Sequence, residues 1–484
     1  MKIERRRPLT ARIGVFGVGH ATYWDQFPGL RDAVLSYMQA FERRVAGREC
    51  EVISFGLVDD AAGAYEATRR MKAAGLDLVF CDMLTYAPSS TWGIVCRRID
   101  APIVLVALQP MAAMDYPSAS TYMQLANDNI CSLPEFTGVA LRMGRRCPPV
   151  VIGTLGGEAA WAEIAEWCRV AHVLHDLNGA RIGQMGHVLE AMLDMHTDPT
   201  ALTAHFGVHA VQVEPDEVLA LLPAVTDADA DAKGRQILEF FETPDPGSDP
   251  IARKLTAEDL AAAARVAVAL ERFVNARRLD GLAYYYEGRP DSEIRRMVAN
   301  FIVGNSLLTA AGFPMCGELD LKTCLAMLIM DRLEIGGSFA ELHPVDFNEG
   351  FILVGHDGPH HLNVADGRPR LRSLVKYHGK PGSGASVEFQ LKAGPITMLS
   401  IGQTFDGRFK FVLAEGQSVR GPIPPTGNTN TRGFFRPDPV TFLKRWLAEG
   451  PTHHFALGVG HHAGTIAKVA DCLGIDSVIV SPEA

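Results

Sequence analysis

The chain has 484 residues, 47% apolar and 21% charged, with a formal net charge of −10 and a pI near 5.9. This is a globular balance, the length suits two to four domains at roughly 150 residues each, and the acidity argues against a nucleic-acid surface, which needs a clustered basic face. Nine widely spaced cysteines without a CxxC argue against a disulfide framework or a zinc-finger module, and point to a reducing compartment.

The one basic cluster, Arg5–Arg7, reads as a solvated tail. No apolar run of signal-peptide length opens the chain, and none approaches the roughly 20 residues of a spanning helix. The expected location is therefore cytoplasmic. From "RIGVFGVGH" onward, short apolar runs alternate with amphipathic stretches: "FPGLRDAVLSYMQAFERRVA", "CEVISFGLV", "AAGAYEATRRMKAAG", "LDLVFCDML" and "APIVLVAL". Alternating strand and helix signals predict a parallel sheet with helices on both faces. Ligands of such sheets sit at the carboxyl ends of strands, which makes His20, Tyr23, Tyr86 and Gln109 candidate contacts. "GVGHATYW" lacks the third glycine of a dinucleotide loop, and Asp59 and Asp60 lie too far along the chain for the ribose acid of that fingerprint, expected about 20 residues on. NAD binding is not expected.

A second α/β unit is predicted from "PPVVIGTLGG" through "ARIGQMG", "FGVHAVQVEP" and the long helix "TAEDLAAAARVAVALERFVNARR" to the strand "LDGLAYYYEG", with "ETPDPGSDP" as a loop. Between Glu318 and Glu341 lies an apolar, helix-like run. After Gly350, repeated strand and turn signals predict an antiparallel unit, with "GPIPPTGNTNTRG" as a loop and "HHFALGVGHHAGTIAKVADCLGIDSVIV" as a closing loop, helix and strand.

Of the sixteen histidines, His343, His356, His360 and His361 follow Glu341 closely, and His453, His454, His461 and His462 cluster near the end. Two carboxylates with two imidazoles make a mixed oxygen and nitrogen donor set suited to Mn²⁺, Co²⁺ or Fe²⁺. Each residue taken singly also reads as a solvated side chain or a turn residue, and Glu287 reads as a strand-end acid.

Four short motifs occur in order: "GELDLKT" at Glu318, "GGSFAEL" at Glu341, "ILVGH" at His356 and "THH" at His454. Together they resemble the metal-binding signature of the L-arabinose isomerases, within the L-fucose/L-arabinose isomerase superfamily. The resemblance spans the chain loosely and is specific in these motifs. It implies two Rossmann-like α/β domains, 1–147 and 148–315, and a C-terminal β-barrel domain, 316–484, that carries most metal ligands. It also implies a metal site of Glu318, Glu341, His356 and His454 taking Mn²⁺ (or Co²⁺, Mg²⁺ or Fe²⁺), and a homotrimer or homohexamer with sites at subunit interfaces. The implied reaction is aldose–ketose isomerisation, a proton moving between C1 and C2 through an ene-diol, with Glu318 and Glu341 as the catalytic acid/base pair. His20, Tyr23, Gln109, Asp320 and Lys322 would meet the sugar, the last two directly or from behind the ligands. The sugar side departs from the family: "QHLYG" becomes "GHATYWDQF", "FHTQ" becomes "VALQP", and "EGDWKT" becomes "ELDLKT" with Leu321 in place of Trp. The metal motifs are kept and the pocket is altered, which leaves open a substrate other than L-arabinose, another pentose or hexose, deoxygenated or derivatised sugars included. A metal-dependent hydrolase using the same Glu/His set, and a non-catalytic sugar-binding protein, are the alternatives.

Overall fold

The computed structural model describes residues 1–245, 252–374, 376–377, 380–381, 384–424 and 429–480. The second half of the "ETPDPGSDP" loop and residues 425–428 of "GPIPPTGNTNTRG" lie outside the described residues. The chain forms two compact units, Leu9–His175, and Met1–Pro8 with Asp176–Ala484.

In the unit Leu9–His175, strands β1 (Arg12–Val18), β2 (Glu51–Val58), β3 (Leu78–Met83), β4 (Ile103–Gln109) and β5 (Val150–Thr154) form one parallel sheet in the order β2-β1-β3-β4-β5. Every residue of β3 is buried, as expected for a central parallel strand covered on both faces. Val79 and Cys81 pack with Met71, Trp92, Val95 and Phe136 from three helices. Phe80 points to the opposite face and meets Phe41, which in turn meets Trp161.

The other unit opens with a second parallel sheet, β6 (Arg181–Met185), β7 (His209–Val213), β8 (Gly281–Tyr284) and β9 (Met315–Cys316), in the order β9-β8-β6-β7. The N-terminal arm belongs to this unit and is not the solvated tail its composition suggested. Arg5 Nη2 donates to Gly312 O (2.7 Å), Arg7 Nη2 donates to Asp176 O (3.0 Å), and Arg6 lies 3.8 Å from Asp280. Guanidinium groups serve here as multiple donors to backbone carbonyls.

After β9 the helix Leu321–Arg332 is buried from Leu321 to Met330. A helix apolar on all sides has no face to offer to water. It covers only the first half of the apolar run; the rest is strand β10 (Gly336–Asp346), so Glu341 sits inside a strand. Gly337, at φ +105°, lets the chain turn there: a Cβ would stand 2.9 Å from Met327 O. Then follow β11 (Phe351–His356), β12 (Gly394–Gln403), β13 (Phe409–Val419), β14 (Thr429–Phe434), β15 (Phe455–Val459) and β16 (Asp476–Val480). Strands β12-β15-β10-β11-β14-β13 pair antiparallel, and β13 pairs back to β12, closing a six-stranded barrel; β16 adds in parallel to β13. Closure leaves no open edge among the six strands. The barrel thus begins before Gly350, and the last part of the expected "GPIPPTGNTNTRG" loop is strand β14. Its polar Thr-Asn-Thr run pairs with β11 residue by residue, and that pairing overrides composition. Fold class is as the sequence led one to expect: α/β sheets followed by an antiparallel barrel.

Candidate metal and active site

Three adjacent barrel strands bring three donors to one place. Glu341 in β10 pairs with Gly355 in β11, so His356 lies one step along from it. Ala340 pairs with Phe455, the first residue of β15, so His454 faces Glu341 one step beyond. Gly355 is required by the tight approach of β14: a Cβ there would stand 1.8 Å from Thr429 O. The Phe339 ring lies 4.4 Å from that of His356 and 4.3 Å from that of His454.

Glu318 reaches the same place from the carboxyl end of β9, the edge where parallel sheets bind ligands. It is left-handed at φ +59°, as is Leu319 at +58°. Such conformations cost a non-glycine residue of order 1–3 kcal/mol and cluster at functional sites. Leu319 stands where the "EGDWKT" motif has glycine. It is fully buried, and burying a leucine contributes about 1.5–3 kcal/mol, enough to offset the strain.

Ligand atoms of Glu318, His356 and His454 lie within 4.8 Å of one another, as do those of Glu341, His453 and His454, and either group could hold a metal ion. His356 Nδ1 is 2.6 Å from Asp357 O. A carbonyl only accepts, so Nδ1 carries the proton and Nε2 keeps its lone pair. His454 Nδ1 lies 3.2 Å from Asp320 Oδ2, which likewise frees Nε2, 3.4 Å from Glu318 Oε2. Both these atoms, His454 Nε2 and Glu318 Oε2, are buried with no hydrogen-bond partner. A carboxylate oxygen and an imidazole nitrogen are both acceptors, and a cation satisfies both. An ordering carboxylate behind a ligand histidine is the usual support of a metal site.

The electrostatics separate the two glutamates. Burial raises the Glu318 carboxyl; the nearby His454 opposes this and the Glu341 charge adds to it. Burial acts on Glu341 in the same sense, but the hydrogen bond from His453 Nε2 (2.6 Å) and the neighbouring imidazoles outweigh it and hold the carboxyl at about 2. Burial, then His454, pushes His356 down to about 4, so at neutral pH it is the neutral, metal-ligating form.

A cavity of about 560 Å³ opens onto Glu318 and His356, with Tyr284, Tyr286, Glu287 and Arg295 among its walls. Asp320 and Lys322 are fully buried behind the ligands. Asp320 caps the helix through Thr323 N (3.0 Å) while accepting from His454. Lys322 Nζ donates to Asp194 O (2.7 Å) and His196 O (3.1 Å).

In the unit Leu9–His175, the His20 ring lies 5.1 Å from Tyr23 and 6.0 Å from Tyr86. This cluster sits beyond the carboxyl ends of β1 and β3, where the strand order reverses. Gln109 is the last residue of β4, and its side-chain amide donates to Met111 O. Motif reading missed His453 as the partner of Glu341.

No protein-family model matches the chain. Among curated proteins it is 25% identical over 413 residues to the L-arabinose isomerase of a Nocardioides species, covering 83% of this chain and 80% of that protein. It is 23% identical over 419 residues to that of a Shewanella species, with the same coverage. It is 22% identical over 409 residues to that of Herpetosiphon aurantiacus, covering 81% and 78%. All three relatives are L-arabinose isomerases, and the chain is similar to them over more than four fifths of its own length. Among the described residues, no helix is long and apolar enough to cross a membrane.

Proposed function

We propose that the chain interconverts an aldose, pentose or hexose, and its ketose at this site, using a divalent cation held by Glu318, Glu341, His356 and His454. The observation that carries the reading is the pair of buried, unpartnered acceptors, Glu318 Oε2 and His454 Nε2, inside a cluster of metal-ligating atoms. Mn²⁺ suits this donor set, as do Co²⁺, Fe²⁺ and Mg²⁺. When bound, the cation would supply Lewis-acid stabilisation of negative charge developing on the sugar oxygens.

The chain's own residues account for the proton transfers. Glu341 stays ionised at any pH above about 2 and is the acceptor for the C2 proton, which it returns to C1. The C2–H bond breaks, the C1–C2 double bond of the ene-diol forms, and O1 gains a proton. Glu318, whose carboxyl burial raises above its ordinary value, is the group that moves a proton between O1 and O2. Carboxyls pushed apart in this way commonly divide acid from base. Phe339 and Tyr284 exclude water from the inner cavity. His20, Tyr23 and Gln109 are proposed as further sugar contacts, and a trimer or hexamer with sites at subunit interfaces as the assembly.

The test is a panel of aldoses, L-arabinose included, offered to chelated protein before and after Mn²⁺ is restored, with ketose as the readout. One aldose should give metal-restored ketose, and Glu341→Gln should lower the rate by about 10²–10⁴-fold, the usual worth of a positioned base. Metal uptake without ketose from any sugar would reject the reading.

A further inference from the structure

We infer that Asp194 is a positioning residue of this site: its carboxylate fixes the His453–His454 turn, and with it the two imidazoles. The inference rests on the metal reading above. β15 starts at Phe455, so the backbone of His453 lies outside the barrel ladder. Thr452, just before it, is tied by its N–H to Ser400 Oγ (2.9 Å) and by its hydroxyl to His454 O (2.7 Å). The His453 N–H goes to Asp194 Oδ2, at 2.7 Å. That acceptor arrives from the segment following β6, the strand beside β8 in the second parallel sheet.

Asp194 is in turn held from below. The buried Lys322 ammonium donates to the carbonyls of Asp194 and His196. The chain of contacts therefore runs from Lys322 through Asp194 to His453, whose Nε2 meets Glu341, and to His454, whose Nδ1 meets Asp320. Without the Asp194 acceptor, the 452–453 peptide can rotate, and that rotation carries one ring off Glu341 and the other off Glu318. Lys322 then acts on the site through Asp194, which accounts for a lysine buried beside the ligands yet donating to a distant segment.

The experiment compares full-length wild type, D194A and D194N. Mn²⁺ affinity is read by the electron paramagnetic resonance of free Mn²⁺, beside metal-free melting temperature and, with a turned-over aldose, kcat and KM. D194A should bind Mn²⁺ about 10-fold or more weakly, the usual cost of losing a support behind the ligands. Its kcat should fall more than its KM changes, and its metal-free melting temperature should stay near wild type. D194N keeps an oxygen acceptor and should retain affinity within about threefold. If D194A does not fold, D194S, whose hydroxyl is too short to reach His453 N, replaces it. Undiminished Mn²⁺ affinity in D194A, or equal loss in D194N, would overturn the inference while leaving the metal reading standing. Wild type that takes up no Mn²⁺ would remove both.

Discussion

The Asp320 carboxylate holds two structures at once: it caps the buried helix Leu321–Arg332 through Thr323, and it accepts from Nδ1 of His454 at 3.2 Å. Helix start and ligand orientation thus share one side chain. Burial works against its charge, but the hydrogen bond from His454, with His454 and Lys322 nearby, keeps the carboxyl below its ordinary value.

Asp320→Asn should therefore impair metal binding more than folding. An amide can still cap the helix, but its NH₂ toward His454 would force that ring into the tautomer with Nε2 protonated. Mn²⁺ affinity should fall by about 10–100-fold, as measured by calorimetric titration. Affinity within twofold of wild type would refute the role given to Asp320.

Two glycines should respond oppositely to alanine. Gly355→Ala would place a Cβ 1.8 Å from Thr429 O, with β14 backbone unable to yield; a loss above about 3 kcal/mol is expected, as for severe overpacking. Gly138, inside the helix Leu133–Arg142, has nothing within 4 Å of such a Cβ. Gly138→Ala should stabilise by about 0.5–1 kcal/mol. Urea midpoints of the two variants decide both.

The buried histidines should make the metal-free protein acid-sensitive. Burial first, and neighbouring imidazoles second, lower His356 from 6.5 to about 4 and His360 to about 3. In the window below 6.5 the unfolded chain binds protons that the folded one refuses, so stability rises with pH. Their contribution is complete above pH 6.5 and is lost as pH falls through 4 toward 3. His453, raised mainly by its bond to Glu341, has the opposite sign, but it is half exposed and screened. Urea unfolding of chelated protein should show a lower midpoint at pH 4.5 than at 7.5; equal midpoints would contradict these environments.

Asp82 in β3 predicts the reverse slope. Burial, then the Glu42 charge, pushes its carboxyl from 3.8 up to about 8. A raised carboxyl contributes fully below pH 3.8, and that contribution is lost as pH rises toward 8. Asp82→Asn should stabilise the protein by a few kcal/mol more at pH 8.5 than at pH 5, read as the difference in urea unfolding free energy.

Much of this molecule is written in local pattern. The continuous apolar runs of β1, β3 and β4 announce a covered parallel sheet, because a strand buried on both faces has no polar side to show. Glu318, Glu341, His356 and His454 stand out because their short motifs occur in order with recognisable spacing. Tertiary pairing decided the rest. It split one apolar run into the helix Leu321–Arg332 and strand β10, made a polar Thr-Asn-Thr stretch into barrel strand β14, and tied the arginine-rich N-terminus to backbone carbonyls. Spacing along the chain could not say that Glu318, His356 and His454 meet within 4.8 Å, because their convergence depends on barrel register. Nor could it reveal Asp194, whose carboxylate matters only because folding lays the segment after β6 against His453. Residue type and periodicity act over a few neighbours; which distant groups share a hydrogen bond is decided only when the chain closes on itself.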